Sequence, residues 1–282
     1  MVSTGPLNEP GEPMVGVPPI GSERDHTELH DSGTVKPVGP SWTWRIGKLA
    51  LIVVLAAIVV GLLAATLARF DILPKLSGFY VVMASIPAAL IGGAIGLVAL
   101  LTAKIGKRGN RAPAIAAIVI SLVMAVVGLV AVVLPSRNAP PLHDITTNVD
   151  APPQFATLTL RDDNLVPFQS MAEWRNAHRT GYPEMAPMII NRSPQAVLGS
   201  ARVLADARGW EVVNVDPAKG TLEATAFSTY LRFRDDVIVQ VTPIADGSTR
   251  VDMRSVSREG ESDLGYNAER INEFLGALKA AN

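Results

Sequence analysis

The sequence predicts a membrane-anchored α+β protein, in which three transmembrane α-helices precede a small two-layer domain. Two observations carry this prediction. Apolar residues make up 48% of the chain and aromatic residues only 5%, and the aliphatic excess is concentrated between residues 45 and 135. Beyond residue 190, one-sided helical patterns and strand-like alternation follow each other. We therefore expect an antiparallel sheet covered on one face by two helices.

The chain begins with a polar segment rich in proline and glycine, which we predict to be a disordered cytoplasmic arm over residues 1–43. Within it, His26 and His30 are four residues apart, and one helical turn would bring their imidazoles together on a metal ion. No helical pattern supports that turn, so no metal site is predicted.

A predicted transmembrane region occupies residues 44–135. It contains three apolar segments, at about residues 49–68, 79–103 and 114–134. Each is long enough, at 1.5 Å per residue, to cross a hydrocarbon core of roughly 30 Å. Gly92 and Gly96 form a GxxxG motif, which lets helices pack closely. No Asp, Glu, Lys, Arg or His lies inside the three segments, so an anchor is favoured over a transporter or channel.

Basic residues in the short loops predict the orientation in the membrane. Seven precede the first span or join the second to the third, namely Lys36, Arg45, Lys48, Lys104, Lys107, Arg108 and Arg111. Three lie on the other side, namely Arg69, Lys75 and Arg137. This bias predicts a multi-pass protein of the bacterial inner membrane, with a cytoplasmic N-terminus and a periplasmic C-terminal domain.

The charge and composition of the C-terminal part exclude several function classes. From His143 onward there are 14 basic and 19 acidic residues, so this part is mildly acidic and nucleic acid is not an expected partner. The chain contains no cysteine, which excludes disulfides, thiol nucleophiles and cysteine-ligated metals.

The C-terminal region is expected to consist of an extended linker over residues 136–160 and an α+β domain over residues 161–282. In the linker, His143 beside Asp144 would be a general base with its orienting acid, but adjacent residues rarely achieve that geometry. Further on, Trp174 and His178 are four residues apart and are expected to pack together on a helix.

The remaining elements are marked by caps and alternation. Ser193 and Pro194 predict the start of one helix, and Ser262 or Asp263 predicts the N-cap of the last helix. Between the two helices, apolar residues alternate with polar residues along several predicted strands. The alternating apolar positions are Leu222, Ala224, Ala226, Val237, Val239, Val241, Val251 and Met253.

Three segments in order carry a resemblance to a known family: HDITTNVDAPP from residue 143, Tyr182-Pro183, and FRDDVIVQVTP followed by GSTRVDMRSVSREGESDLGYNAERI. Over about residues 140–280 the chain resembles bacterial family 1499 of the domains of unknown function. The resemblance implies an envelope-associated domain that is often fused to transmembrane helices. It implies no activity, cofactor or catalytic residue.

The predicted uncovered face of the sheet is rich in arginine, at Arg232, Arg234, Arg250, Arg254 and Arg258. Paired guanidinium donors there could clamp a carboxylate or phosphate. They could equally form ion pairs across strands with nearby carboxylates, at Glu223, Asp235, Asp236 and Asp252.

A second candidate lies where the last strand leads into the last helix, at Ser255, Ser257, Arg258, Asp263, Gly265 and Asn267. Free amides and the helix dipole can bind an anion at such a place, although helix capping would use the same residues. From both candidates, the residues predicted to contact a ligand are Arg234, Arg254, Ser257, Arg258, Asp263 and Asn267.

No catalytic motif is present: the chain lacks GxSxG, HExxH and a P-loop. We therefore predict a non-enzymatic binding or interaction domain, without a cofactor, that recognises an anionic lipid, cell-wall or protein group. Two alternatives remain, a periplasmic hydrolase with an unmarked Ser or Asp nucleophile and a structural subunit of an envelope complex. The predicted partners are the lipid bilayer and envelope proteins or anionic lipid.

Overall fold

The computed structural model describes residues 42–103, 110–134, 137 and 139–281. Nearly all of the predicted disordered arm, including His26 and His30, lies outside the described residues. In the described part, three apolar helices are followed by an antiparallel sheet with helices. The predicted fold class is therefore confirmed.

The three apolar helices are α1 (Trp42–Arg69), α2 (Lys75–Leu101) and α3 (Ala112–Gly128), and a π-helical segment, Leu129–Val133, extends α3. The apolar stretches are 28, 27 and 22 residues long. At 1.5 Å per residue, even the shortest reaches about 33 Å. All three are thus long and apolar enough to cross a membrane.

Glycines allow the three helices to approach closely. A Cβ atom added to Gly92 would lie 3.1 Å from the carbonyl oxygen of Ala50 on α1. One added to Gly96 would lie 2.9 Å from the carbonyl oxygen of Ala114 on α3. Gly92 therefore faces α1 and Gly96 faces α3, so α2 packs closely against both other helices through the GxxxG motif.

The sheet is antiparallel throughout. Its six strands are β1 (Asp144–Thr146), β2 (Met188–Ile190), β3 (Glu211–Asp216), β4 (Thr221–Phe227), β5 (Arg234–Pro243) and β6 (Thr249–Ser257). They lie in the order β1-β6-β5-β4-β3, and β2 also pairs with β6. Strand β1 lies within the segment 136–160, so the sheet begins soon after the last apolar helix.

Among the described residues, three helices accompany the sheet: α4 (Met171–Gly181), α5 (Pro194–Ala207) and α6 (Tyr266–Ala280). Helix α5 begins as predicted, because the Ser193 hydroxyl accepts a hydrogen bond from the Ala196 N–H at 3.4 Å. Helix α6 begins later than predicted. Its N-cap is Gly265, whose φ of 91° is strained for any residue with a side chain.

The core lies between α5, α6 and the sheet face that carries the alternating apolar residues. Val239 on β5 stands opposite Leu222 on β4 and Met253 on β6. These side chains pack with Ala201 of α5 and Phe274 of α6 into a single buried cluster. The predicted covering of this face by two helices is confirmed, and Trp174 of α4 joins the same cluster.

The opposite face of the sheet is not open, which corrects the expectation of an uncovered arginine face. Ile238 and Val256 point to that side and are fully buried. The buried Glu223 carboxylate accepts hydrogen bonds of 2.9–3.2 Å from the N–H groups of Ala156, Thr157 and Leu158. Residues 153–165 therefore cross this face without regular structure. Their lack of periodicity is the reason that sequence patterns do not reveal the cover.

Candidate functional site

Arg254, predicted to contact a ligand, is instead buried against a carboxylate on the neighbouring strand. Its Nε and Nη2 donate to the two carboxylate oxygens of Asp144 at 2.9 and 2.6 Å. Its Nη1 donates to the carbonyl of Pro153 at 3.2 Å, and Asn164 donates to the same Asp144 carboxylate at 2.7 Å. All three nitrogens of the guanidinium are engaged, so this pair ties β1 and the crossing segment to β6.

Arg258 follows β6 and pairs with Asp236 on β5. Its Nε donates to that carboxylate at 3.0 Å, and its Nη2 donates to Asp236 at 2.8 Å and to the Thr225 hydroxyl at 3.0 Å. The Asp236 carboxylate raises the pKa of Arg258, because the ion pair favours the charged guanidinium. The Arg258 side chain is still 41% exposed, so one side of it faces solvent.

Arg234 opens β5 and reaches beyond the domain to the turn between α1 and α2. Its Nη2 lies 2.9 Å from a carboxylate oxygen of Asp71. In the same area the Arg69 Nη1 donates to the Tyr230 carbonyl at 2.8 Å, and the Phe79 and Phe233 rings meet edge to face. The β4–β5 connection, residues 228–233, is therefore held against the helical hairpin α1–α2.

Ser257 and Asn267 belong to a buried hydrogen-bond network between the end of β6 and the start of α6. The Asn267 Nδ2 donates to the Ser257 hydroxyl at 2.9 Å and to the His143 carbonyl at 3.0 Å. The Ser255 hydroxyl donates to the Asn267 Oδ1 at 2.6 Å. Arg270 on α6 donates to Ser255 at 2.9 Å and pairs with Asp235 at 2.6 Å. This arrangement joins strand to helix.

Asp263 starts the first turn of α6 although it is not the N-cap. Its carboxylate oxygens accept from the Gly265 N–H at 2.8 Å and from the Asn267 N–H at 2.7 Å. Burial raises the pKa of Asp263 to about 6, and these hydrogen bonds offset only part of that effect. Helix capping, one of the two interpretations left open by the sequence, therefore describes Asp263.

His143 lies at the centre of this region and is only 2% exposed. Among the described residues, neither of its ring nitrogens has a hydrogen-bond partner. Burial lowers the pKa of His143, and the positive charge of Arg161 lowers it further, so the neutral imidazole is favoured. The Asp144 carboxylate accepts hydrogen bonds from Arg254 and Asn164. It therefore does not act as the acid that orients His143, the role that their adjacency in the sequence suggested.

The other histidine of the domain is structural. The His178 Nε2 accepts from the Thr146 N–H at 3.0 Å, and its ring lies 5.5 Å from the Trp174 ring. The predicted packing of Trp174 with His178 is confirmed. Within the described residues, neither imidazole ring is hydrogen-bonded to a serine, and no group of three or more His, Cys, Asp or Glu side chains could hold a metal ion.

The structure separates the six predicted ligand-contacting residues into two sets. Ser257, Asp263 and Asn267 share one buried network, whereas Arg234, Arg254 and Arg258 each pair with a different carboxylate. Sequence reasoning missed Asp71 and Asp144 as arginine partners, because they are far away along the chain. It also missed Arg270, whose only signal is its position three residues after Asn267 on a helix.

These features define the class of the protein: a chain with three candidate membrane-spanning helices, followed by an α+β domain built around a buried polar network. Residues 144–278 match the model of the family DUF1499, described as a protein of unknown function. The resemblance is confirmed for this region. A comparison with curated proteins gives no match.

Proposed function

We propose that the protein is a multi-pass protein of a bacterial inner membrane whose periplasmic domain is a binding or interaction domain. The domain recognises an anionic group of a lipid, a cell-wall polymer or a partner protein. The contact between the α1–α2 turn and the β4–β5 connection supports this proposal, because it joins the domain to one end of two helices that are long and apolar enough to span a membrane.

The hydrogen bonds that the serine and aspartate side chains of the candidate site already make support a binding function over a catalytic one. Ser255 and Ser257 are engaged with Asn267, and Asp263 is engaged with the first turn of α6. A hydrolase needs a nucleophile within hydrogen-bond reach of its base. Turnover of an ester, phosphoester or glycan by the purified protein, lost on one Ser or Asp substitution, would replace binding with a hydrolytic function.

Partly exposed arginines support recognition of an anion. Arg234 and Arg258 are each about two-fifths exposed, and within the described ranges each has a single carboxylate at ion-pair distance. An incoming phosphate or carboxylate can share these guanidinium groups from the solvent side. Arg254 is closed off by Asp144 and the Pro153 carbonyl, so its role is to hold the fold.

The proposed orientation can be tested with single cysteines, because the chain contains none. We expect a membrane-impermeant maleimide, added to intact spheroplasts, to label an Ala245→Cys variant in the β5–β6 turn. A Ser22→Cys variant should react only after the membrane is permeabilised. Labelling of Ser22→Cys alone in intact spheroplasts would overturn the periplasmic placement.

The proposed binding can be tested by photocrosslinking in native membranes, with benzoylphenylalanine at Glu259, which keeps the neighbouring Arg258 intact. The matched control is the same group at Lys219, an exposed residue in the β3–β4 turn at the opposite end of the sheet. We expect a specific adduct from position 259. An adduct from position 219 alone would refute the anion site at the arginines, and no adduct from either would favour a structural subunit.

A further inference from the structure

The turn between α1 and α2 exposes apolar side chains at the place where two candidate membrane spans end. Phe70 and Ile72 are 67% and 68% exposed. Non-helical backbone with free polar groups does not face lipid within the hydrocarbon layer, so a turn between adjacent spans lies at a membrane surface. These two side chains are therefore at the level of the lipid headgroups.

The β4–β5 connection lies at the same level because it is bonded to this turn. The Arg69 Nη1 donates to the carbonyl oxygens of Tyr230 at 2.8 Å and Thr229 at 3.4 Å. Asp71 pairs with Arg234 at 2.9 Å. Since β5 runs away from the connection, the β5–β6 turn is at the far end of the sheet. Only one end of the domain can therefore contact the bilayer.

The side chains displayed at this end are those found at membrane interfaces. Tyr230 and Tyr80 are 51% and 62% exposed. Tyrosine is enriched at the boundary between lipid and water, where its ring is buried among acyl chains and its hydroxyl is hydrated. The exposed tyrosines thus add interfacial side chains at the end where Phe70 and Ile72 are exposed.

The same end carries an excess of positive charge. Residues 69–75 and 228–234 contain four basic side chains and one acidic side chain. The single carboxylate, Asp71, is shared by Lys75 and Arg234. Among the described residues, Arg69 and Arg232 have no carboxylate within ion-pair distance; the Arg232 guanidinium lies 4.1 Å from the centre of the Phe227 ring. In the part of the chain that the structure describes, these two guanidinium charges are therefore not paired with a carboxylate.

We infer that these residues form a lipid-facing surface, composed of Phe70, Ile72, Tyr80, Tyr230, Arg69 and Arg232. The apolar and tyrosine side chains enter the headgroup layer, and the two arginines bind the phosphate of an anionic lipid. Guanidinium groups suit this ligand, since they donate two parallel hydrogen bonds to phosphate. This inference rests on the membrane placement proposed above and names anionic lipid as the partner.

Insertion can be measured with full-length single-cysteine variants that carry an NBD fluorophore in proteoliposomes. The lipids carry a nitroxide quencher on the acyl chain close to the headgroup. We expect emission from Tyr230→Cys to be strongly quenched and emission from Ala245→Cys, at the far end of the sheet, to be unaffected. Equal quenching at the two positions would overturn the lipid-facing surface.

A third variant separates failure of this inference from failure of the membrane placement. Ile91 is in the middle of α2 and is 61% exposed, so it is read with a second lipid whose nitroxide is near the end of the acyl chain. If Ile91→Cys is quenched while Tyr230→Cys is not, the helices span the bilayer and the lipid-facing surface is wrong. If neither is quenched, the membrane placement itself fails.

The lipid charge can be tested by exchanging the quencher lipid. Quenching by spin-labelled phosphatidylglycerol is compared with quenching by spin-labelled phosphatidylcholine, both read from position 230. One basic residue near the surface corresponds to about a fivefold preference for anionic lipid. We expect that preference to fall by about this factor in Arg232→Gln and to persist in Arg232→Lys. An unchanged preference in Arg232→Gln would refute the role of this arginine.

Discussion

Arg254 on β6 and Asp144 on β1 face each other through two hydrogen bonds, of 2.9 and 2.6 Å, inside the domain. Both side chains are almost fully buried. The backbone carbonyl of Asp144 also accepts a hydrogen bond from the Trp174 indole N–H at 3.2 Å. The pair therefore connects two strands and a helix that are distant in the sequence.

Removing one member of this pair should strongly destabilise the domain. Arg254→Ala leaves the Asp144 carboxylate buried without its counter-ion, which typically costs about 3–5 kcal/mol. We expect a large decrease in the midpoint of thermal unfolding of the detergent-solubilised protein, followed by tryptophan fluorescence. The control is Arg202→Ala, which breaks the exposed pair with Asp206 and should cost about 1 kcal/mol or less.

Acid should destabilise the domain through His143. Because burial lowers its pKa, the folded state binds fewer protons than the unfolded state, whose histidine has a pKa of about 6.5. The stability supplied by the neutral imidazole is present above that pH and is lost as the pH falls through it. His143→Gln should flatten the fall in unfolding free energy between about pH 7 and pH 5. An unchanged slope would show that protonation of His143 does not lower the free energy of unfolding.

Protonation of Asp263 should stabilise the domain as the pH falls, which is the opposite of the effect of His143. Its pKa of about 6 lies above the unfolded value, so the folded state binds more protons and gains stability as the pH falls through about 6. Asp263→Asn removes this titration and keeps an oxygen that can accept from the α6 amides. We expect this variant to lose more stability between about pH 7 and pH 4 than the wild type does. A slope equal to the wild-type slope would contradict the raised pKa.

A close approach of two strands should make Gly220 irreplaceable. Its φ is 66°, and an added Cβ would collide with the Val241 carbonyl oxygen. Gly247, in the β5–β6 turn, has a φ of 83° but open space around it. Gly247→Ala should therefore cost only the backbone strain, about 1–2 kcal/mol. Gly220→Ala should cost clearly more in chemical denaturation; equal costs would show that the strand adjusts.

Breaking the contact between hairpin and domain should change orientation rather than stability. Arg234→Gln removes a partly exposed ion pair with Asp71, which contributes about 1 kcal/mol or less, and it leaves Asp71 paired with the buried Lys75. We expect little change in unfolding and faster hydrogen exchange in the β4–β5 connection. Arg234→Lys should retain protection, and protection unaffected by Arg234→Gln would show that the contact is incidental.

Local patterns predicted the helices and strands of this protein because each element carries its own signal. Ser193 and Pro194 mark the start of α5, and alternating valines mark β5. No local signal links Arg234 to Asp71 or Arg254 to Asp144, since those residues meet only after the chain has folded. The same limit explains the covered sheet face, where Glu223 binds the backbone of an aperiodic segment.

Among the described residues, the domain is joined to the apolar helices at two places, covalently along the chain between α3 and β1 and non-covalently at the α1–α2 turn. A domain attached at one point can rotate about any axis through that point, whereas a domain attached at two points can rotate only about the line between them. A change in the tilt of α1 and α2 would therefore be transmitted through Arg69 and Asp71 as a rotation of the whole sheet. The β5–β6 turn, at the end of the sheet that is farthest from Arg69 and Asp71, would move furthest.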